Sequence, residues 1–158
     1  MRILGVDYGR RRIGLAVSDD SATLARPWIT VEAGPSPRIS IDYIVAAIER
    51  ARREYLGDFD VAAVVVGLPR RLNGADTEMT AVTRGFADAL AARLNVPLHL
   101  QDERLTSREA ESVLAAREPD WRVRKKQLDA MAAAIVLQDY LDAHHGAATD
   151  AAGGDTRS

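Results

Sequence analysis

The sequence predicts an α/β protein with a five-stranded mixed sheet and helices on both faces. Two short apolar segments at the start flank a glycine-containing turn, which is typical of a hairpin. The later run VAAVVV over 61–66 shows no polar alternation, as expected of a strand covered on both faces. Helical segments separate and follow the later strands, and this order favours a mixed sheet.

Five strands and four helices follow in order along the chain. The pattern predicts three strands, a helix, a strand, a helix, a strand and two final helices, which is the element order of the ribonuclease H-like fold. Thr106 and Glu109 have the spacing of a capping box and begin the third helix. The predicted strands are 2–6, 12–17, 28–32, 61–66 and 97–101. The other predicted helices are 39–55, 76–94 and 124–143.

Length and composition indicate one compact domain. The chain has 158 residues, of which 47% are hydrophobic and 28% charged. We expect the domain to span residues 1–145, followed by a disordered tail of small and polar residues over 146–158. The absence of cysteine excludes a disulfide framework or a cysteine metal site. No apolar stretch is long enough to cross a membrane and the start does not resemble a signal peptide, so we expect a cytoplasmic location.

Acidic residues lie where the predicted strands end. Asp7 follows the first apolar run, and Asp102 and Glu103 follow the last strand. The carboxyl ends of strands are the usual place for sites in α/β sheets. Alternation does not decide between Asp102 and Glu103, because strand ends often bend. Asp129 lies near the start of a helix that is apolar nearly all round, so this helix is expected to pack on the sheet and carry Asp129 inward.

Converging carboxylates indicate a metal site. Three such groups repel one another unless a cation lies among them, and Mg²⁺ takes oxygen ligands from one or two carboxylates and from substrate phosphates. A pair of ions about 3.5–4 Å apart is the recurring arrangement for phosphodiester cleavage. Two structural interpretations remain open. Asp7 could accept hydrogen bonds in the turn before Gly9. Asp129 could be an acidic residue in the first turn of its helix, where its charge interacts favourably with the helix dipole.

Basic clusters lie beside the acidic segments, although the net charge of −2 does not by itself indicate a nucleic-acid partner. Each cluster could contact a phosphate backbone, or it could solvate a loop or form salt bridges. The predicted nucleic-acid contacts are Arg10, Arg11, Arg70, Arg71, Arg104, Arg124, Lys125 and Lys126.

Four segments together resemble the YqgF family, also called RuvX: GVDYGRRRIGLAVSD, VVVGLPRRLNG, DERLTSREAE and KKQLDAMAAAIVLQDYL. The resemblance covers the chain from Met1 to about Leu141. It implies a ribonuclease H-like nuclease that depends on Mg²⁺ or Mn²⁺ and matures the 5′ end of pre-16S ribosomal RNA in the bacterial cytoplasm. It also implies that Asp7, Glu103 and Asp129 are the catalytic and metal-binding acids.

Three other functions compete with this one. The family name comes from similarity to Holliday junction resolvases, and cleavage of a four-way DNA junction would call for a homodimer with two opposed sites. A phosphate-binding ATPase module fits the first hairpin but needs two such domains. A non-catalytic ribosome-assembly factor would bind RNA and keep the acids for structure.

Overall fold

A five-stranded sheet forms the centre of the computed structural model, which describes residues 1–55, 57, 59–103, 115–116, 120 and 127–144. The strand order is β3-β2-β1-β4-β5. The strands are β1 (Arg2–Tyr8), β2 (Arg12–Ser18), β3 (Ala25–Glu32), β4 (Val61–Leu68) and β5 (Leu98–Asp102). The helices are α1 (Pro37–Glu54), α2 (Glu78–Leu94) and α3 (127–144).

The predicted elements that fall within the described residues are confirmed with small shifts at their ends. β1 and β4 each continue two residues further than predicted, because both still pair at their carboxyl ends. β3 begins three residues earlier, at Ala25, because β2 pairs with it along its whole length. α2 begins at Glu78 because the hydroxyl of Thr77 caps it by accepting a hydrogen bond from the Met79 amide.

The sheet is mixed, as predicted. β2 pairs antiparallel with both β1 and β3, whereas β1, β4 and β5 run parallel to one another. The carboxyl ends of the three parallel strands therefore meet at one edge of the sheet.

Helices cover both faces of the sheet, which confirms the prediction. One core lies between the sheet and the helices α1 and α2, and its largest fully buried side chains include Phe86 and Ile44. The other core lies between the opposite face and α3, where Val65 packs with Leu137. α3 is buried along most of its length, as its apolar sequence predicts.

Glycines allow α3 to lie directly on the sheet. A Cβ at Gly5 would come within 2.7 Å of the Leu137 Cβ, and one at Gly14 within 1.8 Å of the carbonyl oxygen of Asp129. Neither distance is compatible with a side chain, so both positions require glycine. This close packing fixes the start of α3 above β2.

Several predictions lie outside the described residues. These are the helix that begins at Thr106, the tail over 146–158, and four of the predicted nucleic-acid contacts: Arg104, Arg124, Lys125 and Lys126. Within the described part of the chain, no helix is both long and apolar enough to span a membrane.

Candidate active site

Strand alternation directs both strand-end acids to the face that α3 covers. In β1, Gly5 contacts α3, so Asp7 lies on the same face two residues later. In β5, His99 contacts Tyr140 of α3, and the alternation continues through the strand end to Glu103. Asp102 therefore belongs to the opposite face, which resolves the choice that the sequence left open.

The carboxyl groups of Asp7 and Glu103 form a hydrogen bond. Burial, with the contact to Asp7 second, raises the pKa of Glu103 to about 10, so Glu103 is the protonated donor. Burial also raises the pKa of Asp7; the hydrogen bond from Glu103 acts against this shift, and the nearby charge of Asp129 adds to it. Gly67 makes room for this pair, because a Cβ there would lie 2.7 Å from Oε2 of Glu103.

Asp129, on α3, lies close enough for its charge to act on Asp7. Its carbonyl oxygen lies over Gly14, which is the register partner of Asp7 in the β1–β2 ladder. Its carboxylate forms an ion pair with Arg12, whose Nε lies 3.1 Å from Oδ2. The orientation of that contact does not meet hydrogen-bond geometry, and Oδ2 is buried without a hydrogen bond.

The structure does not support a turn-stabilising role for Asp7. The amide of Gly9 donates to the carbonyl oxygen of Arg12 at 3.1 Å, so a backbone hydrogen bond closes the first hairpin. The groups that act on the pKa of Asp7 besides burial are Glu103 and Asp129, and neither of them belongs to this turn.

The donor chemistry fits a hard divalent cation. Two carboxyl groups in contact and a buried carboxylate oxygen without a hydrogen bond supply the oxygen ligands that such ions prefer. Among the described residues, however, no three acidic, histidine or cysteine side chains are already grouped closely enough to hold an ion. Asp129 is instead paired with Arg12, so the full set of three would need that pair to open.

The predicted basic contacts that the structure describes surround this edge. Arg10 pairs with Glu78 at 3.7 Å, and Arg70 pairs with Asp76 at 3.8 Å. Arg71 is exposed. A groove of about 460 Å³ lies at the β1–β2 turn. Its lining residues are Arg10, Arg11, Arg12, Glu32 and Ala33.

Sequence reasoning missed the role of Arg12, which is not among the predicted nucleic-acid contacts. The signal was available in the register of the first hairpin. Arg12 lies two residues before Gly14 on the same face of β2, and Gly14 is paired with Asp7. That spacing places a cation beside the acids once the hairpin forms.

This fold is the ribonuclease H-like fold. The chain is similar to Thermus thermophilus RuvC, with a TM-score of 0.51 and 18% identity over 92% of this chain and 97% of that one. It is also similar to the fowlpox virus Holliday junction resolvase, with a TM-score of 0.52 and 14% identity over 90% and 99% of the two chains. At such identities the likeness concerns the fold alone.

The chain belongs to the RuvX family, whose description is Holliday junction resolvase and whose profile matches residues 1–143. It is therefore a member of a family of nucleases, enzymes that hydrolyse phosphodiester bonds. A relative from Anaeromyxobacter dehalogenans is 46% identical over 90% of this chain and 97% of its own. One from Chloroflexus aggregans is 44% identical over 89% and 93%. Both carry the name "Putative pre-16S rRNA nuclease".

Proposed function

We propose that this chain is a metal-dependent endonuclease that processes the 5′ end of pre-16S ribosomal RNA in the cytoplasm. The observation that carries the proposal is the direct contact between Asp7 and Glu103 at the carboxyl edge of the parallel strands, with Asp129 above them. Buried carboxyl groups in contact are costly for the fold, because each loses hydration and they repel when ionised. A bound cation would offset this cost, so a metal-dependent activity explains why buried carboxyl groups lie together at this edge.

Asp7, Glu103 and Asp129 would hold Mg²⁺ or Mn²⁺ through their carboxylate oxygens. When bound, the metal supplies positive charge that activates a water molecule and stabilises the leaving oxygen. The arginines at the same edge would bind the phosphate backbone on either side of the scissile bond. Arg10 and Arg11 belong to the groove at the first hairpin, and Arg71 lies beyond β4.

RNA is the favoured substrate because the two relatives with 44–46% identity over nearly their whole length carry a ribosomal-RNA nuclease name. The second candidate is a four-way DNA junction, which the description of the family favours. The two substrates share phosphodiester chemistry and differ in the 2′-hydroxyl and in helix shape. Junction resolution would also require a two-fold dimer, so the substrate and the oligomeric state are to be tested together.

The test is cleavage of labelled pre-16S RNA and of a four-way DNA junction, each with Mg²⁺, Mn²⁺ or EDTA. Asp7→Asn removes one proposed ligand with little change in shape. Asp88→Asn is the matched control, because Asp88 is an exposed residue of α2. Metal-dependent RNA cleavage that is lost only in Asp7→Asn supports the proposal. Paired cuts in the junction with intact RNA would identify a resolvase, and RNA binding without any cleavage would indicate an assembly factor.

A further inference from the structure

We propose that Arg12 couples nucleic-acid binding to metal binding, by holding Asp129 in the free protein and releasing it when a phosphate enters the neighbouring groove. The inference rests on the proposed metal-dependent nuclease and adds a positioning residue to it. Asp129 would then be available to a metal ion together with Asp7 and Glu103 only when a nucleic-acid backbone is bound.

The first observation is the placement of Arg12. It opens β2 on the same face as Gly14, and its Nε lies 3.1 Å from Oδ2 of Asp129. About half of the Arg12 side chain is exposed, at 48%, against 27% for that of Asp129. Because the Arg12 side chain reaches solvent and its contact with Oδ2 lacks hydrogen-bond geometry, Arg12 can exchange Asp129 for another anionic partner.

The second observation is that the backbone of Asp129 lies tightly against the sheet, whereas Oδ2 of its carboxylate has the ion pair with Arg12 and no hydrogen bond. The carbonyl group of Asp129 lies against Gly14, which leaves no space for α3 to shift toward the sheet. Oδ2 has no hydrogen bond to define its position. In the proposed change of partner, the Asp129 side chain rotates and Arg12 moves while the backbone of α3 stays in place.

The third observation is that Arg12 also lines the groove with Arg10 and Arg11. Three consecutive arginines make this groove a place for a phosphate, to which guanidinium groups bind through paired hydrogen bonds. Glu32 is the acidic group in the same lining, and as the register partner of Arg12 it lies across the β2–β3 ladder. A substrate phosphate in this groove would therefore compete for Arg12 with Asp129, its ion-pair partner, and with Glu32 on the neighbouring strand.

Reciprocal coupling follows from this competition. If a phosphate draws Arg12 away, Asp129 becomes available to a cation together with Asp7 and Glu103, and a cation bound there frees Arg12 for the phosphate. Each ligand then raises the affinity for the other by the same factor. Removing the guanidinium should remove the coupling and leave the acids available at all times.

The experiment measures Mn²⁺ affinity by electron paramagnetic resonance, with and without a twelve-nucleotide single-stranded RNA. Mn²⁺ bound by the RNA itself is subtracted from a protein-free sample, and a denaturing gel checks that the RNA stays intact. The variants are Arg12→Gln, Arg12→Lys as a charge-preserving rescue, and Arg10→Gln as the matched control. Arg10 lines the same groove but pairs with Glu78 rather than with Asp129.

We expect RNA to tighten Mn²⁺ binding to the natural protein by about 5-fold or more. Arg12→Gln should bind Mn²⁺ about 5-fold or more tightly without RNA, and RNA should add little further. Arg12→Lys should remain closer to the natural protein. Arg10→Gln should weaken RNA binding and leave the Mn²⁺ affinity of the RNA-free protein unchanged.

Two results would overturn the inference in different ways. If the natural protein and Arg12→Gln bind Mn²⁺ equally well without RNA, Arg12 does not control Asp129, and the metal-dependent nuclease stands without it. If neither binds Mn²⁺ under any condition, the proposed metal site itself is wrong and the coupling fails with it. Circular dichroism of each variant identifies a loss caused by unfolding, and an unfolded Arg12→Gln would assign Arg12 a structural role instead.

Discussion

Glu103 donates a hydrogen bond to the carboxylate of Asp7, although the two residues belong to opposite ends of the chain segment that forms the sheet. β4 lies between the strands that carry them, so Glu103 reaches across that strand toward Asp7. Position 67 of β4 lies in the way of this contact, and a side chain there would collide with the carboxyl group of Glu103. The contact between Asp7 and Glu103 therefore requires glycine at position 67, because only glycine leaves space for the Glu103 carboxyl group.

Gly67→Ala tests this dependence. The new methyl group would lie 2.7 Å from Oε2 and 3.0 Å from Cδ of Glu103, both at the far end of a flexible side chain. We expect the Glu103 carboxyl to move away, so that nuclease activity falls by tenfold or more, on the order of 1.4 kcal/mol in transition-state stabilisation. The free energy of unfolding should change by less than about 1 kcal/mol, because alanine in place of glycine also restricts the unfolded chain. Cleavage assays and urea denaturation measure the two effects, and equal losses of activity and stability would contradict the expectation.

Gly14→Ala should act on the fold instead. A Cβ there would lie 1.8 Å from a backbone oxygen of α3, which cannot move without displacing the helix. We expect a loss of about 1–3 kcal/mol or more in the free energy of unfolding. Gly85→Ala is the control, since nothing lies within 4 Å of a Cβ on this residue of α2, and it should gain roughly 0.5–1 kcal/mol from helix propensity. Similar unfolding curves for the two variants would show that α3 does not need the close approach.

The buried acids make the metal-free protein less stable as the pH rises. The pKa of Glu103 is raised from 4.5 to about 10, so between these values the folded state keeps a proton that the unfolded state has released. The stability contribution is complete below about pH 4.5 and is lost as the pH rises toward 10, by at most about 1.4 kcal/mol per pH unit. Thermal unfolding in EDTA from pH 5 to pH 9 measures the slope. Glu103→Gln should flatten it, and an unchanged slope in that variant would mean that another group is responsible.

Asp7→Asn should stabilise the metal-free protein while removing its response to metal. The substitution removes a buried acid whose pKa is raised, because burial and the charge of Asp129 together oppose its ionisation more than the hydrogen bond from Glu103 favours it. We expect a gain on the order of 1 kcal/mol, or roughly 2–4 °C in the melting temperature. Mn²⁺ should raise the melting temperature of the natural protein, as any ligand of the folded state does, and should leave Asp7→Asn unchanged. A destabilised variant that still responds to Mn²⁺ would assign Asp7 a structural role.

The two arginines beyond β4 should contribute unequally to nucleic-acid binding. Arg71 is exposed, whereas Arg70 is about one-third exposed, at 32%, and pairs with Asp76. Neutralising a phosphate contact lowers the slope of log affinity against log salt by about 1. We expect that change for Arg71→Gln and a smaller one for Arg70→Gln, measured by fluorescence anisotropy of labelled RNA over a potassium chloride series. Equal effects would show that the pair with Asp76 does not hold Arg70 away from the RNA.

The sequence by itself determined the class of fold, the order of its elements and the acids to consider. Each of these depends on local periodicity: the unalternated run of β4 indicates a buried strand, and the apolar α3 indicates a helix packed on the sheet. The quoted motifs likewise indicated the family. Such patterns are present in the chain before any two distant residues meet.

Tertiary structure decided which side chains meet. Strand alternation continues through the end of β5, so Glu103 rather than Asp102 reaches Asp7. The hairpin register and the close approach of α3 place Arg12 beside Asp129, a contact that no local pattern encodes. Contacts between residues far apart in the chain depend on strand register and on the distance between packed elements. Both are set only when α3 packs on the sheet.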